Sequence, residues 1–246
     1  MRTAEAVLLL SHGSPDPRGA YVVNGLVAAV TERTGHEVRV AHLGFTSPSP
    51  EVALRQLADD GFRGVRIVPL LFTPGYHLTH DVPRAVEASG ASERMEVSVA
   101  PPLLAGGARV RELLLIALAD RLAQAGGVEH VDGLVLVSAG SSVHTARQSV
   151  EDLARDLERA HGIPVQPAFA SAGAPSPTQA LEALSDRGIQ RPAVTSLFVA
   201  SGRLTDSVAA ACHDVPVADP LGASQAFVEL LVAQAPIRLR RLGPLR

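Results

Sequence analysis

Two histidines stand where a chain can do chemistry. His12 follows the apolar run "AVLLLS" (6–11), and His77 follows "GVRIVPLLF" (64–72) across "TPGY". Unbroken runs of Leu and β-branched residues suit strands covered on both faces, as in a parallel sheet, and such sheets display their ligands at the carboxyl ends of the strands. Two neutral imidazoles converging on one point suit a borderline divalent ion such as Fe, Co, Ni or Zn, and they also accept protons near neutral pH. Two protein ligands leave most of the coordination sphere open. That is wrong for structural zinc and right for an ion that must be handed on.

Other chemistries fit less well. A dyad of Ser11 with His12 is poor, because neighbours on an extended strand point to opposite faces. The loop "SHGSPDPRG" sets Gly13, Ser14 and Gly19 ahead of a helix but is neither GxGxxG nor a P-loop. A histidine phosphatase would want Arg before the histidine, where this chain has Ser11. A phosphate-ester enzyme would also need a nucleophile or anion clamp that the sequence does not offer.

The elements that position these residues alternate along the chain. After the first strand, residues 13–19, bracketed by Pro15 and Pro17, read as a loop, and "VVNGLVAAVTERTG" reads as a helix closed by Gly35. "EVRVAHLGF" reads as a strand, "PEVALRQLADDG" as a helix stopped by Gly61, and "GVRIVPLLF" as a strand. "DVPRAVEASG" starts another helix and "MEVSVAPPL" reads as a fourth strand.

The pattern then recurs. An offset of 127 residues lays "LLLSHGS" over "LVLVSAGSS", with His12 on Ala139, and "PSPEVALRQL" over "PSPTQALEAL". With a one-residue gap, "LFTPGYHLT" lies over "LFVASGRLT", which puts His77 on Arg203. The chain is therefore expected to be α/β: two homologous doubly wound domains with mostly parallel sheets, residues 1–126 and 127–246, and a cleft between them. Positions shared by both copies, such as Pro48/Pro175 and Leu54/Leu181, belong to the fold. Both histidines are absent from the second copy, so the first carries the chemistry.

Composition excludes several classes. The chain has 246 residues, 46% of them apolar and 19% charged, enough for a large core and wrong for disorder. A net charge of -3 with no basic stripe argues against nucleic acid as a partner. The single cysteine, Cys212, rules out an internal disulfide and reads as a buried small hydrophobe. No apolar run reaches a membrane span or a signal region, so no membrane is expected and a cytoplasmic location is. Aromatic residues make up only 3% with no Trp, so a flat ligand would be held mainly by aliphatic and polar groups.

"LLLSHGSPDPRG", "VPLLFTPGYHLTHDVP" and the duplicated half together resemble the class II tetrapyrrole chelatases, the CbiX/SirB group, over nearly the whole chain. The resemblance implies a chelatase-like pair of α/β domains that inserts cobalt or ferrous iron into sirohydrochlorin, in cobalamin or siroheme biosynthesis. It makes His12 and His77 the metal ligands and the acceptors of the pyrrole protons. The metal, Co or Fe with Ni as a further candidate, is a substrate, and no nucleotide or redox cofactor is called for, since insertion is coordination chemistry.

Sirohydrochlorin carries eight carboxylates, so Arg18, Arg84, Arg147 and Arg203, each beside a strand-end loop, are candidate clamps. Ser11, Ser14 and His80 are further substrate-binding candidates. The sequence departs from the family at one point: the acid near the end of the second strand is replaced by Gly44. His42 lies two residues earlier, on the same face and about 6.5 Å back along a strand. It and Asp81 are candidate substitutes, with His80 beside them. A relative that binds metal or tetrapyrrole without inserting is the alternative reading. Because the duplication lets one chain supply both walls of the cleft, a monomer is expected.

Overall fold

A computed structural model describes residues 5–44, 46–74, 77–126 and 130–236, the side chain of His77 excepted. Strands β1 (Glu5–Ser11), β2 (Glu37–His42), β3 (Gly64–Pro69) and β4 (Glu96–Val99) form one sheet in the order β2-β1-β3-β4. Strands β5 (Gly133–Gly140), β6 (Val165–Ala172) and β7 (Pro192–Ser196) form a second in the order β6-β5-β7. Every pairing is parallel. A bridge from Val194 to Val217 extends the second sheet on the side that β4 occupies in the first.

Among the described residues there are eight α-helices, the first six connecting strands and the last two following β7: α1 (Pro17–Thr34), α2 (Pro50–Asp59), α3 (Val82–Ser89), α4 (Ala108–Gln124), α5 (His144–His161), α6 (Pro177–Asp186), α7 (Arg203–Ala211) and α8 (Gln225–Gln234). The duplication is visible residue by residue, since α1 and α5 are displaced by 127 at both ends, as are α2 and α6.

The expected loop 13–19 is shorter than read, because α1 starts at Pro17. Pro at the first helical position lacks only a donor that would have been orphaned there, and the Asp16 carboxylate caps the turn by accepting from the Arg18 N–H. The second strand also ends sooner, at His42. Its pairing nevertheless runs on, as Leu43 and Gly44 donate to the carbonyls of Ser11 and His12 at 3.0 and 3.1 Å.

The central strands have two buried faces with different partners. Leu8 and Leu10 of β1 pack with Leu54, Leu57 and Ile67 in a core private to the first lobe. Val135 and Val137 of β5 pack with Leu184, Val208 and Cys212 in the corresponding core of the second, so Cys212 is indeed a buried hydrophobe. The opposite faces, Val7 and Leu9 of β1 and Leu134 and Leu136 of β5, share one continuous core that also holds Phe227. Two further helices close it: α4 packs on β7 and α8, and α8 packs on α1. Residues 127–129, within the expected junction of the two halves near 126–132, lie outside the described residues.

Candidate functional site

Between the lobes opens a cleft of about 650 Å³, where the carboxyl ends of β1 and β3 face those of β5 and β7. In the first sheet the connections reverse direction between β1 and β3, the switch point at which α/β sheets bind ligands. His12 follows β1 into this cleft, exposed at its wall. After β3 the chain runs through Leu70–Thr73, all lining the cleft, to a π-helical turn over His77–Asp81 that leads into α3. His77 opens that turn by its backbone; its side chain lies outside the described residues.

The turn at His12 is built on Gly13. Its φ is +85°, and a Cβ there would sit 1.9 Å from the Gly44 carbonyl oxygen, so only glycine lets β1 and the extension of β2 approach this closely. The second lobe repeats the device at Gly140, with φ +96° and a Cβ position 2.1 Å from the Ala172 oxygen. The turn therefore belongs to the fold, and the histidine ahead of it does not, since Ala139 precedes Gly140.

A serine–histidine pair is present, but its partner is His42 and not His12. Ser11 and His42 are direct neighbours in the β1–β2 ladder, and Ser11 Oγ lies 2.6 Å from His42 Nδ1. Ser11 Oγ also accepts from the Gly13 N–H at 3.2 Å, which leaves its own proton for the imidazole. Both residues line the cleft, and burial pushes the His42 imidazole below its ordinary value, toward the neutral form that accepts protons. Sequence reading missed this pair because 31 residues separate its members, and only the parallel register brings them together. Gly44 has room: among the described residues other than its chain neighbours, a Cβ there would meet nothing nearer than the His12 oxygen at 4.0 Å.

The arginines divide. Arg147 is half-buried in the cleft wall, its Nη1 donating to the Ser141 carbonyl at 2.7 Å and its stem crowding Gly173 beside Phe169. It has no carboxylate partner among the described residues. Arg203 lines the cleft, exposed, at the start of α7. Arg18 is not part of the cleft lining, although Asp16 beside it is; its guanidinium is engaged by Asp16 of its own lobe and Asp206 of the other. It holds both carboxyls below the usual range and is itself raised by them. Ser14 lines the cleft and takes the Asp16 N–H at 3.1 Å. Arg84, exposed on α3, lies outside the cleft lining; so do exposed His80, bonded to Thr79 Oγ1 at 2.8 Å, and half-buried Asp81, which precedes α3.

The remaining walls are apolar. Three of the six phenylalanines, Phe72, Phe169 and Phe198, line the cleft, where a flat ligand would lie. Among the described residues no group of three or more His, Cys, Asp and Glu side chains could hold a metal ion, and no helix is long and apolar enough to cross a membrane.

An internally duplicated, two-lobed α/β protein whose cleft bears histidine on one wall and arginine on the other is the class that fold and site define. The CbiX family profile matches residues 6–125 and 133–236, and the chain belongs to that family. Among solved structures, SirB from Bacillus subtilis with Fe3+ matches with a TM-score of 0.80 at 18% identity, over 95% of this chain and 94% of that one. CbiX, the terminal enzyme for siroheme biosynthesis in denitrifying bacteria, matches with a TM-score of 0.68 at 20% identity, over 93% of this chain and 97% of that one. At these identities the likeness is one of fold.

Two curated relatives are similar over part of the chain. The sirohydrochlorin cobaltochelatase of Methanothermobacter thermautotrophicus is 31% identical over 87 residues, 35% of this chain and 61% of the relative. The sirohydrochlorin ferrochelatase of Priestia megaterium is 26% identical over 157 residues, 63% of this chain and 57% of the relative. The chain thus spans about three fifths of the length of these relatives.

Proposed function

We propose that this chain inserts a divalent metal, cobalt or ferrous iron, into sirohydrochlorin or a closely related tetrapyrrole. The observation that carries the reading is His12 itself: it stands at the β1/β3 switch point of a cleft large enough for a macrocycle, on a turn that the second lobe builds without it. Membership of the CbiX family and the names of the two relatives support the same chemistry.

In this reading His12 and His77 hold the incoming ion, a substrate, and leave most of its coordination sphere to water and then to the pyrrole nitrogens. The ring lies against the apolar wall of Phe72, Phe169 and Leu197, and Arg147 and Arg203 take peripheral carboxylates. A cleft complementary to a bent ring exposes the nitrogen lone pairs and lowers the barrier by binding the distorted form more tightly. Two N–H protons must leave as the dication enters. A histidine whose lone pair is given to the metal cannot take them, so a separate base is required, and the family's acid is Gly44 here. His42 is that base: it receives one proton through the Ser11 hydroxyl at 2.6 Å, passes it to solvent in the open cleft, and is then free to take the second. Since one chain supplies both walls, the protein acts as a monomer, with the histidine-bearing half 1–126 facing the arginine-bearing half 127–246.

The test is insertion followed by the visible spectrum, with sirohydrochlorin and each of Co, Fe and Ni in turn. The wild type is expected to outpace spontaneous insertion, and the His12→Ala/His77→Ala variant to fall back toward it. A wild type no faster than the double variant rules the enzyme reading out and leaves a binding protein.

A further inference from the structure

Arg18 stands just outside the cleft lining, next to Asp16 and across from α7, which line it, and its guanidinium is committed to the opposite lobe. Nη1 and Nη2 grip Asp206 in parallel at 3.0 and 2.6 Å. The other edge of the same guanidinium is held by Asp16, with Nε at 3.1 and 3.2 Å from its two oxygens. Asp16 is also the cap of α1, so the guanidinium is aimed by its own lobe and presents its outer edge to a carboxylate across the gap.

Asp206 belongs to α7, whose residues Arg203–Thr205 line the cleft. That helix is lightly anchored, with Val208 its one buried residue of nine. Nor does the fold require the contact: an offset of 127 puts Val143 and Thr145 at the places of Asp16 and Arg18, and continuing the pairing of His77 with Arg203 puts His80 at the place of Asp206. The acid–base–acid bridge is built on one side of the duplication only.

We infer that Asp206 is a built-in stand-in for a substrate carboxylate, latching α7 against α1 through Arg18 and yielding that guanidinium to a polycarboxylate ligand when it enters. The inference rests on the proposed tetrapyrrole substrate for its ligand, and on the Arg18–Asp206 geometry for the latch. Both members are about half exposed, at 49% and 54%, so the pair is of the weak surface kind that a ligand carboxylate can displace.

Titration of metal-free sirohydrochlorin tests the inference. Asp206→Asn keeps the shape and removes the charge, so it is expected to tighten binding about two- to fivefold, the size of an exposed pair. Arg18→Gln is expected to weaken binding about threefold or more, and added salt to shrink both effects. Unchanged or weaker binding by Asp206→Asn overturns the stand-in and leaves a brace between lobes. Hydrogen exchange without ligand is the second measurement: faster exchange over α7 in Asp206→Asn, with α6 unaltered, is expected. Unaltered exchange over α7 overturns the latch whatever becomes of the substrate. If the wild type binds no sirohydrochlorin, the proposed function falls, and the latch is then decided by α7 exchange alone.

Discussion

At the scale of the residue, the first lobe differs from the second by a few substitutions on a common frame. The ladder pair that is Ser11 and His42 in one sheet is Ser138 and Phe169 in the other. The fold therefore accepts a phenylalanine where the first lobe has an imidazole, and His42→Phe is a substitution the architecture has already made. It is expected to keep the fold and to lower insertion by about a hundredfold, the typical worth of a positioned base. His42 is pushed below its ordinary value of 6.5 by burial, so it is neutral at neutral pH and the wild-type rate falls as acid protonates it. Its contribution to stability has the same sign, being present above 6.5 and lost as pH falls through the lowered folded value. Rates measured from about pH 5 to 8 check this: the acid limb is expected to flatten in His42→Phe. Gly44→Glu added to that variant is expected to restore the rate, because a Cβ at 44 has open space before it; no recovery sinks the idea that His42 replaces the acid.

Elements hold these residues by close backbone approach. Gly13→Ala is expected to cost more than about 3 kcal/mol, since it combines a positive φ with a clash against the Gly44 carbonyl. Gly35 has φ +68° but nothing within 4 Å of a Cβ, so Gly35→Ala isolates the backbone term and is expected to cost about 1–2 kcal/mol. Urea midpoints of the two variants are the measurement, and equal losses would show that the clash is relieved elsewhere. Much at this scale was legible in the sequence: the 127-residue offset recovers α1 with α5 and α2 with α6, and the unbroken apolar runs are the parallel strands. The start of α1 was not, because Pro17 reads as a breaker until its place behind the Asp16 cap is seen. The Ser11–His42 contact was hidden for a different reason. Register across a crossover is not a local property of the chain. Arg84 illustrates a third limit, as nearness in sequence to a strand end does not bring a helix to the cleft, and no residue of α3 lines it.

For the molecule as a whole, the shared core couples what the sequence divides. Sequence alone does not say against which sheet α4 and α8 pack, and in the structure each closes the half to which it does not belong. Phe227, fully buried on α8, touches this common core, so Phe227→Ala is expected to cost about 3–5 kcal/mol. It is also expected to lower the stability of both lobes together, with calorimetry giving one transition at a reduced Tm; two separate transitions, with only the second shifted, count against a common core.

The placement of α8 also bears on how the chain is made. A ribosome releases α1 about two hundred residues before Gln225–Gln234, the helix that covers it. The first half must therefore wait, its inner face uncovered, until that helix has emerged, and both walls of the cleft reach their final positions only then.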